Sequence, residues 1–529
     1  MDARLDIEVP ETFNMVSVLV DRHVDEGRGQ RVAIYFGDEA ITYEALLRRV
    51  NRAGNALRSV GVEIEQRVLL LVADRPEFVE GYLGAMKIGA VPVPVNVMST
   101  PQELDYYLND SRATAVIVDA DLAPRLEEIQ SELPYLKHVF VVGELRRDLM
   151  LRAPRASVYS YADALRANSD QLDAEPTSRD DPSYWLYSSG TTGQPKGTVH
   201  LHRDMVTCSG TWLKYVAKPC EGDLNYSASK LPFSYGLGNS LYSPLMGGTA
   251  VVLVPEPSLP PVIAATINRY RPTAFFTVPT LYNMILRDVE AGKLELDLSS
   301  VRLCISAGEA LPGAIFHRWR ERFGIEILDA IGSTEFGYFY IHNMPGAVRP
   351  DSSGQLLPGY EARILDEEGD PVPDGEAGEL YVQSESFAAH YWKKRDRTRD
   401  TFRGLWLKTG DRYVRDADGY YCYQGRADDM FKCGAQWVSP IQVEGVLLQH
   451  PAVAEAAVVG IEDTDGLKKP KAYVTLKAGQ EGTAELVSAL QDHSKQLLAP
   501  HYYKYPRWIE FVSDLPKTAT GKIQRYRLR

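Results

Sequence analysis

The densest run of chemistry-bearing residues is YSSGTTGQPKGT at positions 187–198. Gly190, Gly193 and Gly197 are interleaved there with the hydroxyl residues Ser188, Ser189, Thr191 and Thr192, and Lys196 follows Pro195. Glycines let consecutive backbone N–H groups turn toward one point, hydroxyls add short-range donors, and a lysine adds a point charge. That combination suits a polyphosphate. It is not a P-loop, G-x-x-x-x-G-K-[ST], because Lys196 is followed by Gly197 and no glycine directly precedes it. The preceding YWLY at 184–187 predicts a strand, which puts the loop at a strand end, where α/β proteins bind ligands. Three further charged residues sit in compact motifs: Glu335 in AIGSTE, Asp411 in LKTGD and Lys522 in PKTATGK. Read singly, Glu335 could be a helix-start carboxylate after Ser333 and Thr334. Asp411 could be plain turn chemistry.

Taken in order, SSGTTGQPKG (188–197), AIGSTE (330–335), LKTGD (407–411), GRADDMFK (425–432) and PKTATGK (516–522) resemble the signatures of the adenylate-forming superfamily. That superfamily comprises acyl-CoA synthetases, adenylation domains of peptide synthetases, and luciferases. LPFSYGLGNS (231–240), SAGEALP (306–312) and the C-terminal LPKTATGKIQRYRLR are similar to benzoate-CoA ligases and related aryl-CoA ligases. The resemblance implies an ATP-dependent aryl-CoA ligase using ATP, Mg²⁺ and coenzyme A. A carboxylate attacks the α-phosphate to give aryl-AMP and pyrophosphate. A C-terminal domain then rotates, and the coenzyme A thiol displaces AMP.

Carried over by position, the resemblance gives each residue a role. Ser188, Ser189, Gly190, Thr191, Thr192, Gly193 and Lys196 would hold the β- and γ-phosphates. Thr334 would approach the α-phosphate and Glu335 would ligate Mg²⁺. Ala307, Gly308, Glu309, Asp329, Gly332 and Ser333 would flank adenine. Asp411 would accept from the ribose hydroxyls, with Arg426 beside ribose or phosphate. Lys522 would bridge carboxylate and phosphate, where a fixed ammonium stabilises developing charge. Phe233, Tyr235, Gly236, Ala307, Ile331 and Tyr338 would form the aryl pocket. Asp428 would be the hinge, with Lys432, Gly434 and Ala435 on the coenzyme A side.

Two positions depart from the family pattern. Ala435 stands where a glycine is usual beside the pantetheine tunnel. Tyr338 stands where benzoate-specific relatives tend to carry histidine. A phenol there favours a ring with a polar substituent, such as 2-aminobenzoate or a hydroxybenzoate. The alternatives are a stand-alone aryl-adenylating enzyme that loads a carrier protein and a medium-chain acyl-CoA synthetase. A decayed nucleotide sensor is disfavoured by the intact Lys196, Glu335, Asp411, Arg426 and Lys522. Lys468, Lys469 and Lys471, or residues 501–504, could meet the 3′-phosphate of coenzyme A.

The elements that must position these residues alternate in type. RVLLLV at 67–72 reads as a buried strand and 76–89 as the helix after it, with proline at its start and glycine at its end. Strands at 90–95, 115–118, 139–142, 273–277, 303–306 and 326–330 continue the pattern, so the fold class is α/β with largely parallel sheets. Residues 356–383 read instead as an antiparallel β unit with turns at 368–369 and 374–375. The expected organisation is a domain at 1–425, with the β unit at about 355–425, a hinge at 426–428 and a mobile α+β domain at 429–529.

Composition bounds the rest. With 529 residues the chain needs about three structural units at 100–200 residues each. Lys+Arg is 58 and Asp+Glu is 71, a net charge of −13, which argues against a nucleic-acid or anionic-membrane partner. Five scattered cysteines suit neither a disulfide framework nor a Cys-x-x-Cys zinc site. They fit a cytoplasmic protein, a monomer or homodimer. The N-terminus does not read as a signal peptide, and no apolar run approaches the ~20 residues of a membrane span.

Overall fold

The computed structural model describes residues 8–145, 150–190, 193–427, 429–433, 436–464, 467–517 and 523–529. Thr191, Thr192, Asp428, Gly434, Ala435 and Lys522 lie outside the described residues. The chain is an α/β protein with a large N-terminal part on two mainly parallel sheets and a smaller C-terminal α+β part.

The strand Arg67–Leu71 shows why these sheets are parallel. Val68 and Leu70 enter one core and Leu69 and Leu71 another, so both faces are covered and every position after Arg67 is apolar. Its parallel neighbours are Val91–Pro94 on one side and Ala115–Asp119 on the other, followed by His138–Val142 and Ser157–Ser160. The helix Pro76–Lys87 starts on its proline, and Gly89 turns the chain out at φ +77°.

Among the described residues, the larger sheet runs Gln355–Leu356, Phe339–His342, Ile327–Gly332, Leu303–Ser306, Ala274–Thr277, Leu224–Ser227, Ala250–Val252, Val32–Phe36, Glu39–Thr42. Its middle is parallel and its edges antiparallel. The carboxyl ends of Ala274–Thr277, Leu303–Ser306 and Ile327–Gly332 therefore lie side by side. The loops that leave them carry Ala307–Glu309 and Ser333–Glu335.

The antiparallel unit forms as expected, with Glu361–Leu365 on Ala377–Gln383 and that strand on Trp406–Arg415. The two expected turns are both in one connection, residues 366–376, rather than in separate hairpins. Past residue 429, Val453–Glu462 pairs antiparallel with Lys468–Leu476, which pairs parallel with Trp508–Phe511. Helices Pro440–Leu447 and Ala484–Leu497 accompany this sheet, and Val443, Leu447, Val458, Val474 and Leu490 share its core.

The last residues are tied down by charge. Arg525 donates from Nε and Nη2 to the two carboxylate oxygens of Glu444, at 3.0 and 2.7 Å, and Val458 N–H donates to the same Oε1 at 2.7 Å. Both side chains are nearly covered, at 14% and 8% exposed. Glu444→Ala leaves the covered Arg525 with Asp429, 3.6 Å away, as its remaining acidic partner among the described residues, so it should cost about 3 kcal/mol. Thermal melting with limited proteolysis of the C-terminal segment checks this, and an unchanged protease pattern would contradict it.

Candidate active site

Residues Pro182–Gly190 and Gly193–Leu201 form one antiparallel hairpin, with Tyr184 opposite His200 and Ser188 opposite Lys196. This corrects the expected placement. The hairpin belongs to a separate antiparallel sheet with His390–Tyr391, not to the end of a parallel strand, and Lys196 lies in a strand rather than in a loop. Pro195 and Gly197 are poor helix formers and β-forming Thr198 and Val199 follow them, so the chain folds back as a strand instead of starting a helix. Tyr106 donates its hydroxyl proton to the Pro195 carbonyl at 2.7 Å, and Tyr187 donates to Asp110 at 2.9 Å, so the helix Pro101–Ser111 braces the hairpin.

The hairpin faces a tight turn at residues 332–338. This turn is not a helix start, which removes the capping explanation for Glu335. A Cβ on Gly332 would sit 2.3 Å from the Tyr338 carbonyl oxygen, so only glycine lets the turn close; Gly337 adopts φ +75°. Three elements hold the turn. His200 Nε2 lies 2.7 Å from the Thr334 carbonyl, Ala388 N–H donates to the Glu335 carbonyl at 2.7 Å, and Ser234 Oγ donates to the Gly337 carbonyl at 2.8 Å.

The Glu335 side chain is only 15% exposed. Its Oε1 accepts from the Tyr391 hydroxyl at 2.7 Å, and Lys196 Nζ lies 3.9 Å away. Lys196 also rests 4.1 Å from the centre of the Tyr391 ring. Burial pushes the Glu335 carboxyl up. The Lys196 ammonium and the Tyr391 hydroxyl outweigh that, holding it below its ordinary value and therefore ionised. Among the described residues, no group of three or more His, Cys, Asp or Glu is arranged to hold a metal. Magnesium at a polyphosphate needs only one or two protein carboxylates, so a single buried Glu335 fits it.

Asp411 lies inside the strand Trp406–Arg415, opposite Arg426 on Tyr421–Arg426, so the simple turn explanation for it also falls. Arg426 Nη1 donates to Asp411 Oδ1 at 3.1 Å, with the Tyr423 hydroxyl at 3.4 Å. The Asp411 charge, foremost, raises the Arg426 pKa. Ala307 and Gly308 follow the strand Leu303–Ser306, Gly308 at φ +92°, and Glu309 accepts from Thr280 at 3.3 Å. Asp329, expected beside adenine, lies in the strand Ile327–Gly332. Its carboxyl is buried, which raises its pKa, and its carbonyl is taken by Asn343 N–H and Nδ2 at 3.0 and 3.1 Å.

On the acyl side, Phe233 precedes the short helix Ser234–Leu237, and Tyr235 donates toward the carbonyls of Ile305 at 3.1 Å and Thr277 at 3.3 Å. A Cβ on Gly236 would stand 2.0 Å from the Lys230 carbonyl, so this glycine is there for backbone approach. Ala307 is buried and Ile331 half-buried. Tyr338 is buried edge-on to Trp212, and its hydroxyl donates to Asn239 Oδ1 at 2.7 Å. The phenol proton expected for a ring substituent is thus already committed, and what remains at Tyr338 is an acceptor. Asp74 secures the base of this segment, accepting from Leu231 N–H at 3.1 Å.

On the coenzyme A side, Lys432 is exposed and lies 3.3 Å from Glu367. Lys471 pairs with Glu510 at 2.7 Å, which neutralises one charge of the expected basic patch, while Lys504 keeps its charge and donates to the Gln442 amide at 2.8 Å. The sequence reading missed His200, Tyr391, Ser234, Asn239 and Asp74. Each acts across a long sequence separation; Ser234 and Asn239 stand in the segment LPFSYGLGNS, but nothing in its spacing joins them to Gly337 and Tyr338. Among the described residues, no helix is long and apolar enough to cross a membrane.

Two outcomes follow from this geometry. Tyr391→Phe removes a donor to a buried charge worth about 1.5–3 kcal/mol, so the unfolding free energy should fall by about that much and steady-state turnover roughly ten- to a hundredfold; parent-like turnover and stability would contradict it. Burial pushes the Asp74 carboxyl up to about 6, against the opposing Lys230 charge and the Leu231 N–H. Its folded pKa is thus raised, so the stability it contributes is full below about pH 4 and is lost as pH climbs to about 6. Asp74→Asn should abolish that loss, on the order of 3 kcal/mol, in a difference curve of denaturation midpoints between pH 4 and 7.

Comparison with known proteins agrees with this arrangement. Residues 20–392 match the AMP-binding enzyme family, and residues 442–522 match the AMP-binding enzyme C-terminal domain. The chain is 44% identical over 526 residues to the benzoate–CoA ligase of Thauera aromatica, covering 99% of this chain and 97% of that one. It is 41% identical over 521 residues to the 4-hydroxybenzoate–CoA/benzoate–CoA ligase of Rhodopseudomonas palustris, covering 98% and 94%. The crystal structure of an anthranilate CoA ligase in complex with anthranoyl-AMP superposes with a TM-score of 0.92 at 41% identity, covering 98% of this chain and 97% of that one. A buried carboxylate on a tight turn beside a glycine-rich hairpin is the arrangement found here, and the matches along nearly the whole chain place this protein in the AMP-binding, adenylate-forming enzyme family.

Proposed function

We propose that this chain is an ATP-dependent aryl-CoA ligase that converts a benzoate-type carboxylate to aryl-AMP and pyrophosphate, and then to aryl-CoA and AMP. The observation that carries the reading is the Glu335 carboxylate held 3.9 Å from Lys196 on a turn flanked by the aromatic segment 233–242. A phosphate cation, a hard oxygen ligand and an aryl-sized apolar wall meet there.

The chain's own residues divide the work. The segment 188–196, with Lys196 at its end, receives the β- and γ-phosphates. Thr334 faces the α-phosphate, and Asp411, paired with Arg426, receives the ribose hydroxyls. Bound Mg²⁺ would be held by Glu335 and would supply charge neutralisation at the phosphate oxygens. Lys522 brings a fixed ammonium to the carboxylate and α-phosphate, the charge that must be stabilised as the P–O bond forms. The C-terminal part pivots at 426–428, with Asp428 as hinge, and carries Lys432, Gly434 and Ala435 to the coenzyme A side.

Phe233, Tyr235, Gly236, Ala307, Ile331 and Tyr338 surround the ring. Because the Tyr338 oxygen is left as an acceptor, an amino or hydroxyl substituent on the ring finds a partner there. The names of the relatives, a benzoate–CoA ligase, a 4-hydroxybenzoate–CoA/benzoate–CoA ligase and an anthranilate CoA ligase, support the same substrate class. Free cysteines at Cys208, Cys220, Cys304, Cys422 and Cys433 suit a reducing cytoplasm.

Pyrophosphate release and thioester formation should be measured across benzoate, 2-aminobenzoate, the hydroxybenzoates and hexanoate. An aryl acid should exceed hexanoate in kcat/KM by at least about tenfold, with CoA thioester and AMP as products. Hexanoate as best substrate, or adenylate formed without thioester, would overturn the reading in favour of the medium-chain or carrier-loading alternatives. Lys522→Ala should slow adenylation on the order of a hundredfold while sparing thioester formation from supplied aryl-AMP.

A further inference from the structure

His200 lies between two oxygens. Its Nε2 is 2.7 Å from the Thr334 carbonyl and its Nδ1 is 3.1 Å from Asp204 Oδ2. The ring is fully buried and stacks on Tyr184, with centroids 4.6 Å apart and planes 5° from parallel. A carbonyl oxygen can only accept, so Nε2 must carry a hydrogen. The other ring nitrogen faces a carboxyl oxygen that already accepts from Leu201 N–H at 3.0 Å. Either Nδ1 is protonated too, against a carboxylate, or the Asp204 acid donates to Nδ1. Both states carry the same proton count and no net charge, as a pair 0% and 1% exposed requires. Burial, the largest influence, raises the Asp204 pKa, and Asp204 Oδ1 has no hydrogen-bond partner among the described residues, so the carboxyl has little else to hold it ionised.

We propose that His200 and Asp204 form a proton-holding positioning pair: by keeping Nε2–H on the Thr334 carbonyl, it locks the turn that presents Thr334 and Glu335 to the nucleotide, and so serves the adenylation half-reaction. The hairpin that receives the terminal phosphates and the turn at the α-phosphate then move as one piece, joined through this imidazole on the backbone as well as through Lys196 on the Glu335 side chain. Gly337, at the far end of the turn, packs against the same wall, where its Cβ would meet Tyr184 Oη at 3.1 Å and His200 Cε1 at 3.6 Å. Neither His200 nor Asp204 touches substrate in this proposal. It rests on the adenylate-forming reading, though not on which carboxylate is used.

The test compares His200→Gln, whose amide nitrogen can take the place of Nε2, with His200→Asn, whose amide reaches only as far as Nδ1. Adenylation is read as pyrophosphate release with whichever carboxylate the parent activates, and the second half-reaction as thioester formation from supplied acyl-adenylate. H200Q should adenylate within about fivefold of the parent and H200N should lose about thirtyfold or more, with both within about threefold of the parent in thioester formation. H200N adenylating as well as H200Q, or a parallel loss in both half-reactions, would overturn the proposal and make His200 an ordinary core residue. A parent that activates no carboxylate would instead defeat the functional reading. A measurement independent of variant folding is the ¹⁵N spectrum of histidine-labelled parent protein: a protonated His200 Nε2 supports the pair, and an unprotonated one contradicts it.

Discussion

A carboxylate largely removed from water needs compensation on every side, and Glu335 is where this molecule meets that cost. The Tyr391 hydroxyl, the Lys196 ammonium and a turn that only glycine can close all converge on it. These partners come from three separate parts of the chain: the antiparallel hairpin, the turn after Ile327–Gly332, and the short strand His390–Tyr391 that extends the hairpin sheet. The large parallel sheets serve to bring those parts to one place. Their apolar strands, buried on both faces, form a rigid base, and their carboxyl ends align the loops that carry polar groups.

Charge is used locally against the overall balance. A chain of net charge −13 would repel ATP at long range. The cations near Glu335 are instead held in place by aromatic and carboxylate neighbours, as with Lys196 over Tyr391 and Arg426 against Asp411. Cations fixed in advance need little reorganisation when phosphate arrives. At the far end of the chain, the covered Arg525–Glu444 pair anchors the residues that follow Lys522 to the C-terminal core.

Much of this was legible in the sequence, for identifiable reasons. RVLLLV reads as a strand because burial on both faces leaves no polar position after Arg67, and the α+β character expected past residue 429 is what the sheet and two helices there show. Lys196, Glu335, Asp411 and Arg426 were found because motif spacing marks them. The hairpin was misplaced because only its first strand was read, and a glycine-rich exit from a strand looks alike before a helix and before a return strand. His200 and Tyr391 escaped because their bonds to Thr334 and Glu335 span 134 and 56 residues. Tyr338 was found, but its hydrogen-bond polarity was not, since nothing in sequence order joins it to Asn239. The −13 charge likewise told which partners to exclude and nothing about the site.

The central claim is that the turn at 332–338 is set before substrate arrives. A crystal structure with a non-hydrolysable aryl-sulfamoyl adenosine, a mimic of the aryl-adenylate, tests it most directly. The claim predicts a turn backbone within about 1 Å of its position here, Glu335 still bonded to Tyr391, the ribose on Asp411, and the ring between Tyr235 and Tyr338. A mimic bound elsewhere, or a turn rebuilt with Glu335 released from Tyr391, would contradict it.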